Sequence, residues 1–394
     1  MNKQLQLFKL LKLQSEQLFE GSHSVHTAEF VVDKILNNID TSYDSFLVLY
    51  NIEFALSLIH KYGVDPKNIT FLSDHENKSN LANRLNINYS SVTEAVFMNK
   101  RPIMLINPPY TNGSQDASEI YTAIINNCID KFNPIAIGGV TPENLINGGQ
   151  KKKTLRNKLN EKYNLKYLRF LSQKRDWNGK IKVDTVSWVY DENYIGKTQV
   201  VSRYSNVPYT TDCLDEYIDG ANQTIHDWII KSQTSKKIKL LGANPRFTED
   251  NQNSKEQQVK ISKNFTDSYT LESGKWTDSH NTEWRIVFGY MRCNTLAIVP
   301  PGPSIPGKYR YLPFGQDEVL ARKFADYMLS EPVRFIMKLV YTSRTLDNPQ
   351  LSYVPFFDLS QFNTVSNSVL YSFWNIDKQT QSFINNVVGD EVPF

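Results

Sequence analysis

The first half of the chain alternates short apolar runs with amphipathic stretches, and nothing else in the sequence restricts its fold as much. Runs of four or five residues are too short for buried helices, and helical periodicity between them supplies crossover connections. Phe46-Leu47-Val48-Leu49-Tyr50, Ile69-Thr70-Phe71-Leu72, Pro102-Ile103-Met104-Leu105-Ile106 and Pro134-Ile135-Ala136-Ile137 read as strands. A helix through Phe54, Leu56, Leu58 and Ile59 follows the first run and stops near Gly63. Another, through Ile120, Ala123, Ile124 and Cys128, precedes the fourth. Tyr167 to Phe170 and Val183 to Tyr190 close the series, the latter reading as an antiparallel strand at the sheet edge. Such an alternation predicts an α/β sheet.

Beyond Asp191 the texture changes. Thr248 to Lys263 is polar and reads as long loops, and Pro300-Pro301-Gly302-Pro303 breaks the chain. Amphipathic helices return over Glu318 to Leu329 and Val333 to Val340. Two domains are expected, a sheet domain over 1–195 and a mixed α+β region with a different task over 196–394.

Composition excludes several classes. With 394 residues, 40% of them hydrophobic, a mean hydropathy of -0.45 and no long apolar run, a membrane span is not expected. Met1 to Leu13 is amphipathic, is interrupted by Lys3, Lys9 and Lys12, and lacks a small-residue cleavage site; it reads as a helix rather than a signal peptide. Three scattered cysteines suit a reducing cytoplasm, and neither they nor the six histidines have ligand spacing, so no metal is expected. A net charge of +3 does not require a nucleic-acid partner but leaves room for a local basic stripe.

Asn107-Pro108-Pro109-Tyr110 stands where the third apolar run ends. By itself Asn-Pro-Pro is also a natural strand terminator. Its chemistry suits a planar amine, whose lone pair is delocalised into its ring. The Asn107 side-chain oxygen and the Pro108 carbonyl can both accept hydrogen bonds from such an NH2 and draw its nitrogen toward tetrahedral geometry. Two prolines fix φ and stiffen the carbonyl that must point inward. Tyr110 can stack on a base turned out of a duplex.

With its neighbours, this segment resembles the amino-methyltransferases, specifically the adenine-N6 DNA methyltransferases with a C-terminal recognition region. Ser24-Val25-His26-Thr27-Ala28-Glu29-Phe30 resembles the family's cofactor-lid segment, and Asp74, after the second strand, matches the acidic residue that holds the cofactor ribose. Trp177-Asn178-Gly179-Lys180-Ile181-Lys182-Val183 resembles the segment whose aromatic packs on the target base. Trp177 then either closes the second face of an adenine held against Tyr110 or fills a loop gap. The stretch from His280 to Phe362 resembles, in texture, the tail of methylases of restriction–modification systems, phage-borne ones included. The resemblance implies a Rossmann-like sheet, S-adenosylmethionine as cofactor, and a site-specific methyl transfer to adenine N6.

One departure from the family pattern is plain. After Val48-Leu49-Tyr50 the chain reads Asn51-Ile52-Glu53-Phe54, with no glycine before Gly63, where glycines normally let backbone pass beneath the cofactor. Thr27, Tyr50, Asn51, Glu53, Phe54 and Asp74 make up the expected cofactor set. Asn51 serves as polar partner and Phe54 as apolar wall. Glu53 faces the methionine ammonium or is a first-turn carboxylate favoured by the helix dipole.

The second half fits a reader of double-stranded DNA, because a methylase must recognise the neighbours of its target base. Lys180, Arg285 and Arg344, with Arg292 and Arg310, are candidate contacts to bases or phosphates. Lys151-Lys152-Lys153 with Arg156 and Lys158, and Lys236-Lys237 with Lys239, are phosphate contacts or solubilising surface. A stand-alone methylase is expected, since no Pro-Asp…Glu-x-Lys nuclease pattern stands out. Two other readings remain open: an amino methylase of RNA or protein glutamine, and a DNA-binding relative that has lost the cofactor. The sequence leaves the oligomeric state open.

Overall fold

A computed structural model describes residues 27–73, 77–91, 100–109, 120–147, 150–172, 176–177, 184–212, 219–233, 238, 241–242, 256–261, 269–274, 282–288, 296–303, 305, 309–340, 351 and 353–389. The chain divides into two compact units, Met1–Asn222 and Gln223–Phe394.

In the first unit the described strands are β1 (Phe46–Leu49), β2 (Ile69–Leu72), β3 (Asn88–Ser90), β4 (Ile103–Ile106), β5 (Ala136–Pro142), β6 (Asn164–Leu171), β7 (Thr185–Asp191), β8 (Thr198–Val201) and β9 (Tyr209–Thr211). They form one sheet in the order β3-β2-β1-β4-β5-β7-β6-β8-β9. Strands β3, β2, β1, β4 and β5 pair in parallel. The helices are α1 (Glu29–Leu36), α2 (Glu53–His60), α3 (Asn77–Leu85), α4 (Ile120–Phe132), α5 (Asn144–Asn147) and α6 (Gln150–Lys162). This is the Rossmann-like α/β sheet that the alternating pattern and the resemblance led to expect.

The period of two in each strand divides the core. Phe46, Val48, Ile103, Leu105 and Val140 pack with Val31, Val32, Ile35 and Leu36 of α1, Phe54 and Leu58 of α2, and Leu81 of α3. Leu47, Leu49, Met104, Ile106 and Ile137 pack on the opposite face with Tyr121, Ile125 and Ile129 of α4 and Leu155 and Leu159 of α6. All four residues of β1 and of β4 are therefore buried, as in a parallel sheet covered on both sides.

Three expectations are corrected. Strand β7 is antiparallel as expected, but it lies between β5 and β6 and not at the edge. Val186 and Trp188 face one core and Val189 the other, and a strand buried on both faces belongs inside a sheet. The sheet also continues past residue 195: β8 pairs in parallel with β6, and β9 with β8, which extends the first unit to Asn222. Finally, Glu256–Ile261, expected as loop, is a strand; cross-strand pairing with Tyr269–Gly274 overrides its polar composition.

Two adjacent glycines permit close approach, Gly138 to a helix and Gly139 to neighbouring strands. A Cβ on Gly138 would lie 2.6 Å from Ile35 Cγ2 of α1, and one on Gly139 would lie 2.8 Å from the backbone oxygen of Ile106. Because that oxygen belongs to β4 and cannot swing aside, Gly139→Ala is expected to cost about 1–3 kcal/mol of stability. Urea denaturation measures this; an unchanged midpoint would mean that β4 has room to shift.

In the second unit, β10 (Leu241–Gly242), β13 (Arg285–Phe288), β14 (Leu296–Val299) and β15 (Arg310–Pro313) form an antiparallel sheet ordered β10-β15-β13-β14, and β11 (Glu256–Ile261) with β12 (Tyr269–Gly274) a separate ribbon. Helices α7 (Gln223–Ser232), α8 (Glu318–Leu329), α9 (Glu331–Val340), α10 (Asn367–Phe373) and α11 (Lys378–Gly389) complete an α+β arrangement. The expected helix over 318–329 is observed with those bounds. Asp317 caps it, its carboxylate accepting from the Leu320 N–H at 2.8 Å.

Candidate functional site

In an open α/β sheet ligands bind outside the carboxyl ends of the strands, where the strand order reverses. Here the order runs from β1 outward in both directions, so the crevice opens between β1 and β4, which pair from Phe46↔Ile103 to Leu49↔Ile106. Chain exits from both strands therefore stand side by side, Tyr50-Asn51 after one and Asn107-Pro108 after the other.

Three of the expected site residues meet there through one oxygen. The Thr27 hydroxyl oxygen accepts from Asn51 Nδ2 at 2.6 Å and from Asn107 Nδ2 at 2.7 Å. All three side chains are buried, with exposures of 0%, 5% and 3%. Thr27 is placed by α1, which starts two residues later and lies against β5 and β7. Asn51 is further held by the start of α2, where its Oδ1 accepts the Glu53 N–H at 3.1 Å. Pro108 is buried and Pro109 half-buried, continuing the edge from Asn107.

The missing glycine has a structural answer. Tyr50 adopts φ 65°, the left-handed conformation that glycine enters freely. The Asn51 N–H reaches back to the Leu49 oxygen at 2.8 Å, closing a three-residue turn around Tyr50. The Tyr50 N–H donates to the Leu72 oxygen at 3.0 Å, tying the turn to β2. A tyrosine held this way costs on the order of 1–3 kcal/mol, and such strain gathers at ligand-binding turns. Glu53, 7% exposed at the first turn of α2, puts a buried carboxylate beside this turn.

Other expected residues are placed elsewhere. Phe54 is 0% exposed and its ring belongs to the core beneath α1. Trp177 is packed into that same core, and its indole N–H donates to Thr185 Oγ1 at 2.8 Å. At 5% exposure the indole is placed as the gap-filling reading expects. Arg285 is fully buried in the second unit, donating to the carbonyl oxygens of Glu283 (3.1 Å), Pro300 (3.0 Å) and Pro303 (2.7 Å). It pins the proline-rich turn and, so enclosed, has no reach to a base or phosphate. Arg156 likewise donates to the Leu145 carbonyl from a buried position. Asp74, Tyr110, Lys180 and Arg344 lie outside the described residues.

Sequence reasoning missed a buried ionic cluster at the same edge of the sheet. Glu143 directly follows β5, and its carboxylate accepts from Arg203 Nη2. Arg203 also donates to Asp219 from its backbone N–H (3.0 Å) and its Nε (3.1 Å), and lies 3.5 Å from Asp184. Burial pushes the Glu143 carboxyl up, to about 7, against the pull of Arg203, while Asp184 and Asp219 add repulsion. Three carboxylates around one guanidinium leave an excess of negative charge, which favours holding a proton on Glu143. A glutamate immediately after a strand at the ligand-binding edge was the one available signal.

Strand register extends the edge further. One residue before Asn107, Ile106 pairs with Gly139; one residue further along β5, Val140 pairs with Ser187, and Ser187 with Arg169 of β6. Arg169 is 8% exposed, stacked 5.5 Å from the Phe30 ring of α1 and 4.0 Å from Asp176. Among the described residues no group of acidic, histidine or cysteine side chains could hold a metal ion, and no helix is long and apolar enough to cross a membrane.

No protein-family model matches the chain, and no curated protein does. Among solved structures it is similar to the type IIL restriction–modification enzyme MmeI in complex with DNA, at 11% identity and a TM-score of 0.43, over 99% of this chain and 76% of that one. It is also similar to the type IIG restriction endonuclease BpuSI, at 12% identity and a TM-score of 0.41, over 98% of this chain and 63% of that one. A type I restriction–modification methyltransferase subunit from Streptococcus thermophilus matches at 13% identity and a TM-score of 0.35, over 45% of this chain. The chain covers about half of that subunit, 47%. Likenesses of this size carry no argument about this chain.

Proposed function

We propose that the first unit is an S-adenosylmethionine-dependent methyltransferase that modifies the exocyclic amine of adenine in DNA, with the crevice between β1 and β4 as its active site. The observation that carries this reading is the meeting of Thr27, Asn51 and Asn107 on one hydroxyl oxygen where the strand order reverses. Lid segment, cofactor turn and Asn-Pro-Pro segment come from three separate stretches of chain, and an arbitrary strand terminator would have no reason to join the other two.

The donor set fits the cofactor. Its ammonium suits the buried Glu53 carboxylate beside the Tyr50 turn, and Asn51 stands at the same turn as a polar partner. When bound, S-adenosylmethionine supplies an electrophilic methyl group on a sulfonium. The residues of this chain then act on the other reactant. The Asn107 Oδ1 and the Pro108 carbonyl accept from the two N–H bonds of the adenine amine, freeing the nitrogen lone pair from the ring. With the cofactor bound, that nitrogen would take the methyl carbon, the sulfonium would depart as a neutral thioether, and the proton shed by the alkylated amine would pass to solvent. Orientation supplies much of the acceleration. The second unit is the part available to read flanking DNA.

The test incubates purified protein with mixed-sequence double-stranded DNA and tritiated S-adenosylmethionine, then separates the labelled nucleosides. Label in N6-methyldeoxyadenosine is the expected outcome. Label confined to RNA or to protein glutamine, or cofactor turnover without any labelled nucleoside, overturns the substrate assignment.

A further inference from the structure

The bonds around Thr27 have a direction. A backbone N–H can only donate, so the Glu53 N–H at 3.1 Å requires that the oxygen of the Asn51 amide face α2. The opposite end of that amide, its NH2, is then the end that meets Thr27 at 2.6 Å. The Thr27 oxygen is thus an acceptor in this contact, and its remaining lone pair takes the Asn107 NH2 at 2.7 Å. Asn51 and Asn107 thus both donate to one Thr27 oxygen, which links the first turn of α2 to the Asn107 amide.

That orientation decides whether Asn107 can work on an amine. With its NH2 held by Thr27, the amide presents oxygen at its other end. Rotated by 180° it would present NH2, a donor facing the donors of the substrate. Resting on the reading of the site as an amine methylase, we infer that Thr27 is a positioning residue. It sets the Asn107 amide with oxygen toward the substrate amine, and it takes that setting from the cofactor turn. Such a role differs from contact with the cofactor alone, which the lid resemblance implies. It also gives a reason for a residue ahead of α1 to be fully buried against two strand ends.

Thr27→Val keeps the shape and removes the acceptor; Thr27→Ser keeps the acceptor and removes the methyl group. The experiment measures kcat and cofactor KM of wild type and both variants on adenine-containing DNA, together with cofactor affinity by calorimetry and thermal melting. For Thr27→Val we expect kcat at saturating cofactor to fall about 100-fold, with cofactor affinity changed by no more than about threefold. Thr27→Ser is expected to restore most of that rate. A raised cofactor KM with normal kcat at saturation would overturn the positioning role and make Thr27 a cofactor contact. Equal loss in the serine and valine variants would also overturn it, because the methyl group rather than the acceptor would matter. Wild-type protein that transfers no methyl group to DNA would remove the functional reading and this inference with it.

Discussion

Asn107→Ala is expected to lower the rate of methyl transfer by about 10²–10³-fold, the loss typical when a polar group aimed at the reacting atoms is removed from an enclosed site. DNA affinity should stay near that of the wild type. Asn107 is 3% exposed at the end of β4, and its amide is already held by Thr27, so it has little contact surface to lose. In the proposed reaction the side chain acts on the amine as the nitrogen changes geometry, which would make its contribution specific to the transition state. Single-turnover rates with tritiated cofactor and DNA titrations by fluorescence anisotropy separate the two quantities. If rate and DNA affinity fall together, Asn107 is a structural residue and the site assignment fails.

The second large effect concerns stability. Arg203→Met is expected to destabilise the first unit by about 3–5 kcal/mol, because it strips the cation from a cluster of three carboxylates. Glu143 and Asp219 are 1% and 0% exposed, so water cannot replace the guanidinium. Glu143→Gln should cost less, since it removes one of the repelling charges. The two proteins should also differ in their response to pH. The Glu143 carboxyl sits at about 7 in the folded chain, above its ordinary value of 4.5. A group raised in this way stabilises the fold while protonated. Its contribution is complete below pH 4.5 and is lost as pH rises through about 7. Wild type should therefore lose stability relative to Glu143→Gln across that interval. Chemical denaturation at several pH values measures the difference; parallel curves would mean that Glu143 stays ionised beside Arg203.

Residue types and their spacing exposed much of the fold. Four hydrophobic residues in β1 and four in β4, bounded by polar segments, leave no alternative to strands buried on both faces. The 3.6-residue spacing of Ala321, Phe324, Ala325 and Met328 identifies α8 as reliably. The roles of Trp177 and Arg285 are not legible in the sequence for a common reason. A single tryptophan or arginine looks the same in sequence whether it faces a ligand or completes a core. Burial distinguishes the two, and burial depends on packing partners outside the local segment: Thr185 for Trp177, and the Pro300–Pro303 turn for Arg285.

By itself the sequence determined the strands and helices around the site and the chemistry offered at their ends, including Asn-Pro-Pro at the close of an apolar run and a glycine-free turn after another. Those properties depend on neighbours within a few residues, where period and backbone preference act. Only the tertiary structure decided that β7 inserts between β5 and β6, that Tyr50 takes the left-handed turn in place of glycine, and that Glu143, Asp184, Arg203 and Asp219 share one buried cluster. It also decided that Thr27, Asn51 and Asn107, up to 80 positions apart, converge on one oxygen. Contacts of that separation arise when parallel strands and the helices on their faces are packed together, and local patterning does not encode which strand ends become neighbours.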